Sequence, residues 1–185
     1  MRKFMILLSL LIFTGILPAQ KTAQDTLSRK ELRQKRKTEK NVLRQKQYEQ
    51  MSQLLEERRY VLEAEFIQDH RLNWASVNPL INFVMVDSSG MIAQLGALGL
   101  AGVNGTGGST GKGTIRTYRL SKHDEEKTFS LVMGVDMNFG HMDICIDIDA
   151  GGEAKADLSF GYRHLIYNGH ILKIRDSKIV IGRYL

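Results

Sequence analysis

The sequence predicts a mainly β protein (α+β overall), in which an N-terminal helix precedes an antiparallel meander that forms a sandwich or a barrel. A long run without Gly or Pro, rich in Lys, Arg, Gln and Glu, ends near residue 58 and has the composition of a helix. Residues 59–185 contain many short runs in which apolar and polar residues alternate, separated by turn-forming residues. Strands do not alternate with helices, so a parallel sheet is not expected.

The first residues have the order of a secretory signal peptide. Arg2 and Lys3 form a short positive region, residues 4–17 are nearly all apolar, and residues 18–20 break the apolar run. The run is shorter than the roughly 20 residues that a spanning helix needs, although a short uncleaved anchor is the alternative. We therefore predict a signal peptide over residues 1–19 and a periplasmic or secreted protein. No cysteine lies near the cleavage point, so a lipid anchor is not expected.

The positive charge of the chain lies in one segment. Residues 21–59 hold 12 Lys and Arg against 6 Asp and Glu, whereas residues 60–185 hold 12 against 14. A nucleic-acid-binding domain would carry its own basic face, so no nucleic acid partner is expected. The lone cysteine, Cys145, cannot form an intramolecular disulfide, and its role stays open. The fold must therefore depend on burial and strand pairing.

Residues 20–58 are predicted to form a basic helical segment. Ser28 and Glu31 have the spacing of a capping box, in which each side chain bonds the other residue's backbone amide. The first half of the segment is almost entirely polar. It is either a solvated charged face or a contact for an anionic surface such as lipid head groups. The second half has an apolar stripe that is predicted to dock on the β domain: Leu43, Met51, Leu54 and Leu55, with Tyr48 at its edge.

Residues 59–185 are predicted to form one antiparallel β domain of eight to ten strands. In the first strand Tyr60, Leu62, Ala64 and Phe66 share one face, which is the pattern of a half-buried strand. Pro79 limits the next candidate, residues 71–77, to an edge or an end. Further strands are predicted at 82–86 and 91–95 around a turn, and at 113–120, 128–138, 142–148 and 153–160.

The dipeptide Asn168-Gly169 is typical of a two-residue hairpin, because such a turn favours positive φ at both central residues. It is predicted to join residues 165–167 to residues 170–172. Residues 179–181 are predicted to form the last strand.

The strand that contains Cys145 is the one place where potential metal ligands alternate. His141, Asp143, Asp147 and Asp149 project from one face together with Cys145. Carboxylates suit calcium, and His with Cys suits zinc. One strand supplies a line of ligands rather than a convergent site, however. A polar outer face is the simpler interpretation, and no cofactor is expected.

Residues 96–113 are rich in glycine and are predicted to form a loop. Gly111-Lys112 resembles the end of a phosphate-binding motif, but Thr106 occupies the position of the motif's first glycine, and a strand follows where a helix is needed. Without a convergent catalytic motif, no enzyme is expected and no catalytic residue is assigned. The loop is a possible contact for a ligand or a partner through Asn104, Gly105, Gly107 and Gly108.

Three stretches of the sequence resemble one known family: residues 74–86, residues 104–108 and residues 168–185. The chain is similar there to a family of exported proteins from Bacteroides-type bacteria known as a domain of unknown function, DUF4251. The resemblance covers roughly residues 45–185. It implies a Gram-negative periplasm or outer envelope and a layout of signal peptide, charged helix and β domain. It implies no activity.

Three functional hypotheses remain after these observations. The first is a non-catalytic envelope module that binds a small apolar ligand or a protein partner. The second is a structural or assembly partner that acts through the basic helix. The third, well behind, is a metal-dependent hydrolase that uses the face from His141 to Asp149.

Overall fold

The computed structural model describes residues 28–69, 73–96 and 108–183. The chain divides into two units, Met1–Lys37 and Thr38–Leu185. The predicted signal peptide lies outside the described residues. Helix α1 spans Arg29–Glu57, and a short 3-10 helix spans Ile174–Asp176. The strands are β1 (Arg59–Asp69), β2 (Trp74–Ser76), β3 (Phe83–Asp87), β4 (Gly90–Leu95), β5 (Ser109–His123), β6 (Thr128–Met137), β7 (Gly140–Asp149), β8 (Glu153–Phe160) and β9 (Arg163–Lys173).

The strands close into an eight-stranded antiparallel barrel. Strands β3 to β8 each pair with the next strand along the chain, β1 pairs with β3, and β9 returns to pair with β1. The short strand β2 lies outside this ring and pairs with the far end of β1. The predicted fold class is therefore confirmed. Of the two predicted architectures, the closed barrel is the one observed, and closure leaves the main strands without free edges.

The predicted capping box is present at the start of α1. The backbone amide of Glu31 donates to Oγ of Ser28 at 3.3 Å, and the amide of Ser28 donates to Oε2 of Glu31 at 2.7 Å. These bonds satisfy two amides that have no partner inside the helix. They also lower the pKa of the Glu31 carboxyl.

The second half of α1 packs across one end of the barrel. The turns between β5 and β6 and between β7 and β8 lie at this end, because successive turns of a meander alternate between ends. The Tyr48 ring stacks on Phe129 with 4.5 Å between centroids, and the Tyr118 hydroxyl donates to the Leu55 carbonyl at 2.6 Å. Four helix residues join the barrel core: Tyr48, Met51, Leu54 and Leu55. Leu43 is 57% exposed, so its predicted docking is wrong.

The barrel interior contains the apolar faces that the alternation predicts. On β6 the inward residues are Phe129, Leu131, Met133, Val135 and Met137, all buried. On β7 the apolar residues face inward in the same way, and the face from His141 to Asp149 points outward. A period of two therefore predicts the inside and the outside of these strands correctly.

One predicted inward residue, Phe66, is wrong. The pairing of β1 with β9 shifts register between Ala64 and Phe66, and Phe66 is 45% exposed. A bulge of this kind moves all later side chains to the opposite face. Ile67 is buried in its place.

The predicted hairpin at Asn168-Gly169 is also wrong. Both residues lie in the middle of β9, and neither has positive φ. The hairpin between β8 and β9 turns instead at Gly161 and Tyr162, where Gly161 has φ +56°. An added Cβ at Gly169 would lie 1.9 Å from the carbonyl oxygen of Glu63. The glycine therefore allows the close approach of β1 at the bulge.

The predicted last strand, residues 179–181, is an irregular segment rather than a strand. It follows the short 3-10 helix and lies against the outer face of the barrel, where the Val180 amide donates to the Leu80 carbonyl at 2.8 Å. A second, smaller apolar cluster forms there from Val61, Phe83 and Ile92, with Ile174 and Ile179 packed on it.

Candidate functional site

The predicted metal ligands lie on the outer face of β7 and bond to each other or to residues of neighbouring strands. Nδ1 of His141 lies 2.9 Å from Oδ1 of Asp136, and Nε2 lies 3.5 Å from Oδ1 of Asp143. Asp147 accepts a hydrogen bond from Ser130 at 3.1 Å, and Asp149 accepts one from the amide of Glu153 at 2.9 Å. Each predicted ligand therefore has its own local partner.

Within the described ranges, no three His, Cys, Asp or Glu side chains are arranged to hold a metal ion. The hydrogen bond to Asp136, followed by the charges of the two neighbouring carboxylates, raises the pKa of His141. The same bond to His141, together with the Arg116 guanidinium, lowers the pKa of Asp136. This arrangement is that of surface ion pairs. Cys145 is a free thiol exposed on the same face.

The predicted glycine contact falls largely outside the described residues. Asn104, Gly105 and Gly107 belong to that part of the chain, and Gly108 is the first described residue after it. An added Cβ at Gly108 would lie 1.7 Å from the carbonyl oxygen of Leu95. A side chain at this position, immediately before β5, would therefore clash with the backbone, which explains the glycine.

A serine, a histidine and an aspartate meet on the outer face of β8 and β9. Oδ1 of Asp157 lies 2.9 Å from Nδ1 of His164, and Oγ of Ser159 lies 3.4 Å from the same nitrogen. In a catalytic triad the hydroxyl and the carboxylate contact opposite nitrogens of the ring. This group therefore lacks the geometry of a nucleophilic site.

The mouth of the barrel, at the end opposite α1, contains a cavity of about 290 Å³. We call it the mouth cavity. This size is just below the range of about 300–1,000 Å³ that is typical of small-molecule sites. The walls are mostly apolar and come from β4, β5, the turn between β6 and β7, β7, β8 and β9. The lining residues are Ala93, Gln94, Leu95, Ser109, Gly111, Phe139, Met142, Leu158, Phe160, Arg163, His164, Leu165 and Tyr167.

Two aromatic rings form one side of the mouth cavity. Phe139 and Phe160 meet edge to face, with 4.8 Å between centroids. An added Cβ at Gly111 would lie 2.2 Å from Cε1 of Phe139, so the absence of a side chain there leaves room for that ring. At the inner wall, the buried Tyr167 hydroxyl donates to the Gln94 carbonyl at 3.2 Å. The buried phenol therefore has a partner and leaves the cavity wall apolar.

Two larger concavities have a different character. One, of about 570 Å³, lies across β6 to β9 and β1, where His170 is 3.4 Å from Glu65 and 4.0 Å from Glu153. The other, of about 650 Å³, lies between α1 and the turn after β5 and is lined mainly by polar and charged side chains. Apolar walls with a few polar groups are typical of ligand sites, so the mouth cavity is the better candidate.

Sequence patterns could not reveal the mouth cavity. The alternation on β8 predicts Leu158 and Phe160 as inward residues correctly. The empty space depends on small residues from other strands, Ala93 and Gly111, which meet these side chains only after the barrel has closed. Finding the cavity therefore requires knowing which distant strands pair, and the local sequence pattern does not contain that information.

These features define the class of the domain: a closed, meandering β-barrel with a helix at one end and an apolar cavity at the other. The sequence matches the family described as "Domain of unknown function (DUF4251)" over residues 43–171, more than half of its length. The chain belongs to this family, as the resemblance predicted. The family match indicates no catalytic class. No curated protein matches the sequence significantly.

A crystal structure of a DUF4251 family protein from Bacteroides eggerthii DSM 20697 is similar to this chain. The sequence identity is 22% and the TM-score is 0.57, over 71% of this chain and 90% of that one. The similarity supports the barrel fold. Among the described helices, none combines the length and the apolar character that a membrane span requires.

Proposed function

We propose that this protein is a non-catalytic binding module that holds a small apolar ligand in the mouth cavity. The cavity of about 290 Å³ with its apolar lining carries the proposal. Eight-stranded barrels have interiors that are either filled by side chains or wide enough for one small ligand. Here α1 and the side chains around Phe129 fill one end, and the mouth cavity lies at the other.

A displacement assay with an apolar dye tests the proposal. The dye N-phenylnaphthylamine is expected to fluoresce on binding the protein and to be displaced by decanol. Leu95 lines the mouth cavity and is partly buried, so Leu95→Trp fills the space with a ring. Val132 is 39% exposed on the outer face of β6, and Val132→Trp adds the same ring away from the cavity.

The expected result is saturable binding by the unmodified protein and by Val132→Trp, with binding lost in Leu95→Trp. Circular dichroism of both variants checks that they are folded. Saturable binding that persists unchanged in folded Leu95→Trp would overturn the assignment of the site, and absence of saturable binding in the unmodified protein would overturn the function.

We propose further that the protein works in the cell envelope, in the periplasm or after secretion. The support is the order of charge, apolar run and break over residues 1–20. Sequencing the N-terminus of protein recovered from cells tests this. Cleavage close to residue 19 is expected, and a full-length cytoplasmic product would contradict it.

A contact with an anionic surface is a second candidate function, and one exposed part of α1 favours it. Val42 is 64% exposed and Leu43 is 57% exposed, and the cations Lys40, Arg44 and Lys46 lie close to them along the helix. Apolar side chains among cations on a helix suit a lipid head-group surface. Sedimentation with anionic and neutral vesicles tests this. Binding to anionic vesicles should fall in Lys40→Glu combined with Lys46→Glu, and unchanged binding would contradict it.

A further inference from the structure

Arg163 introduces a positive charge at the apolar mouth cavity. It is the first residue of β9 and pairs with Phe160, the last residue of β8. Side chains of directly paired residues share one face of a sheet. Phe160 packs against the barrel core, and Leu165 and Tyr167 continue the inward face of β9. The Arg163 side chain therefore emerges on the cavity side of the rim, where it is exposed.

No described residue neutralises this charge. The Arg163 side chain forms no hydrogen bond or ion pair with another described residue, and none of the described residues that line the mouth cavity is Asp or Glu. Two other arginines on the barrel have an acidic partner: Arg116 lies 2.6 Å from Asp136, and Arg59 lies 3.3 Å from Asp87.

The other basic groups near the mouth point away from the cavity or already have a partner. His164 also lines the cavity, but it follows Arg163 along β9 and pairs with the outward Ser159, so its side chain projects from the opposite face, where Asp157 lies 2.9 Å from it. Lys112 lies one residue beyond the inward Gly111 and is exposed. The mouth cavity therefore combines apolar walls with one inward-facing arginine.

We propose that the ligand is an amphiphile with an apolar chain and a single carboxylate, and that Arg163 binds the carboxylate at the mouth. This inference rests on the proposed function and adds the class of ligand to it. The planar guanidinium presents two parallel N–H donors that match the two oxygens of a carboxylate. The apolar chain occupies the space beside Phe139, Leu158 and Leu165. The head group stays at the rim, where water and Arg163 can both reach it.

Decanoate and decanol test the proposal, because they share one chain and differ in the head group. Affinities for both are measured by isothermal titration calorimetry at low ionic strength and neutral pH. The variant Arg163→Gln keeps a polar side chain and removes the charge. Arg119→Gln is the matched control, since Arg119 is an exposed arginine on β5 whose neighbour Tyr118 is directed toward the core.

The expected result is that the unmodified protein and Arg119→Gln bind decanoate more tightly than decanol. In Arg163→Gln the affinity for decanoate falls by about fivefold to tenfold, as expected for one charge-assisted contact at an exposed rim. The affinity for decanol stays the same. Raising the ionic strength reduces the preference for decanoate in the unmodified protein.

The outcomes separate this inference from the proposed function. Equal affinity for decanol and decanoate, or a preference for decanoate that Arg163→Gln leaves intact, would overturn the role of Arg163 and leave the cavity as an apolar site. Failure of both probes to bind the unmodified protein would overturn the proposed function, and the inference with it.

Discussion

Nε2 of Gln94 donates a hydrogen bond to the carbonyl oxygen of Val180, 2.9 Å away, and joins β4 to the segment after β9. Oε1 of the same side chain accepts from the amide of Gly182 at 2.8 Å and from the hydroxyl of Thr110 at 2.9 Å. Gln94 has no exposed surface. A buried amide with several partners fixes the geometry of the elements that it joins. This side chain therefore holds the C-terminal segment on the outer face of the barrel.

Replacing Gln94 with Leu is expected to lower the free energy of unfolding by about 3 kcal/mol, because buried polar groups lose their partners. Equilibrium unfolding in urea measures the change. Gln53→Leu is the control, since Gln53 is exposed on α1 and its side chain bonds only to Glu57 among the described residues. Its effect should stay within about 0.5 kcal/mol. Equal effects of the two variants would show that the Gln94 contacts add no net stability.

The strands could be predicted from sequence because their signal is local. Apolar residues recur with a period of two on β6 and β7, and a turn follows each run. The capping box at Ser28 is local in the same way, since both bonds span three residues.

Barrel closure could not be predicted, because it depends on residues far apart in the chain. Ala64 meets Gly169 across the pairing of β1 with β9, and the bulge beside Ala64 turns Phe66 outward. The pair Asn168-Gly169 has the composition of a turn, but here the glycine satisfies a long-range steric requirement. The mouth cavity and the position of Arg163 depend on the same closure.

The close approach at Gly169 leads to a second prediction. Gly169→Ala is expected to destabilise the protein by roughly 3 kcal/mol or more, because the new Cβ would meet backbone, which cannot rotate away as a side chain can. Gly90→Ala is the matched control within a strand, where the nearest atom to an added Cβ is the Asp87 carbonyl oxygen at 3.4 Å. Its effect should be about 1 kcal/mol or less. Thermal unfolding of both variants compares them, and similar midpoints would contradict the steric argument.

The pair His141 and Asp136 leads to a third prediction, on pH. The pKa of His141 is raised above 6.5, mainly by the hydrogen bond to Asp136. The charged pair therefore stabilises the folded protein below that pH, and this stabilisation is lost as pH rises through the raised pKa. The pKa of Asp136 is lowered below 3.8, so its contribution is lost only in stronger acid. Asp136→Asn should move the titration midpoint of His141 downward, as followed by NMR of the imidazole protons.

The control for this titration is Asp147→Asn. Asp147 lies on the same outer face but accepts from Ser130 rather than from His141. Its replacement should leave the His141 midpoint in place. A midpoint that does not move in Asp136→Asn would mean that the pair does not form in solution.

Alkaline pH is expected to weaken the contact between α1 and the barrel through Tyr48. Burial of the phenol, together with its hydrogen bond to Asp124 at 2.8 Å and the charge of that carboxylate, raises the pKa of Tyr48 to about 12. The raised pKa means that the folded protein favours the neutral phenol. The stabilisation that the neutral phenol gives the folded protein is complete below pH 10.0 and is lost as pH rises through about 12.

Tyr48→Phe tests this contribution, because it keeps the stacked ring on Phe129 and removes the group that titrates. Below pH 10.0 the variant should be less stable by about 1 kcal/mol, the net value of one hydrogen bond. Above that pH the difference should shrink, because the unmodified phenol loses its proton while the phenylalanine does not change. Urea unfolding at a series of pH values measures this difference in stability in both pH ranges. Tyr162→Phe should be as stable as the unmodified protein throughout, since Tyr162 is 93% exposed in the turn before β9. A constant difference between Tyr48→Phe and the unmodified protein across this range would show that ionisation of Tyr48 does not control the contact.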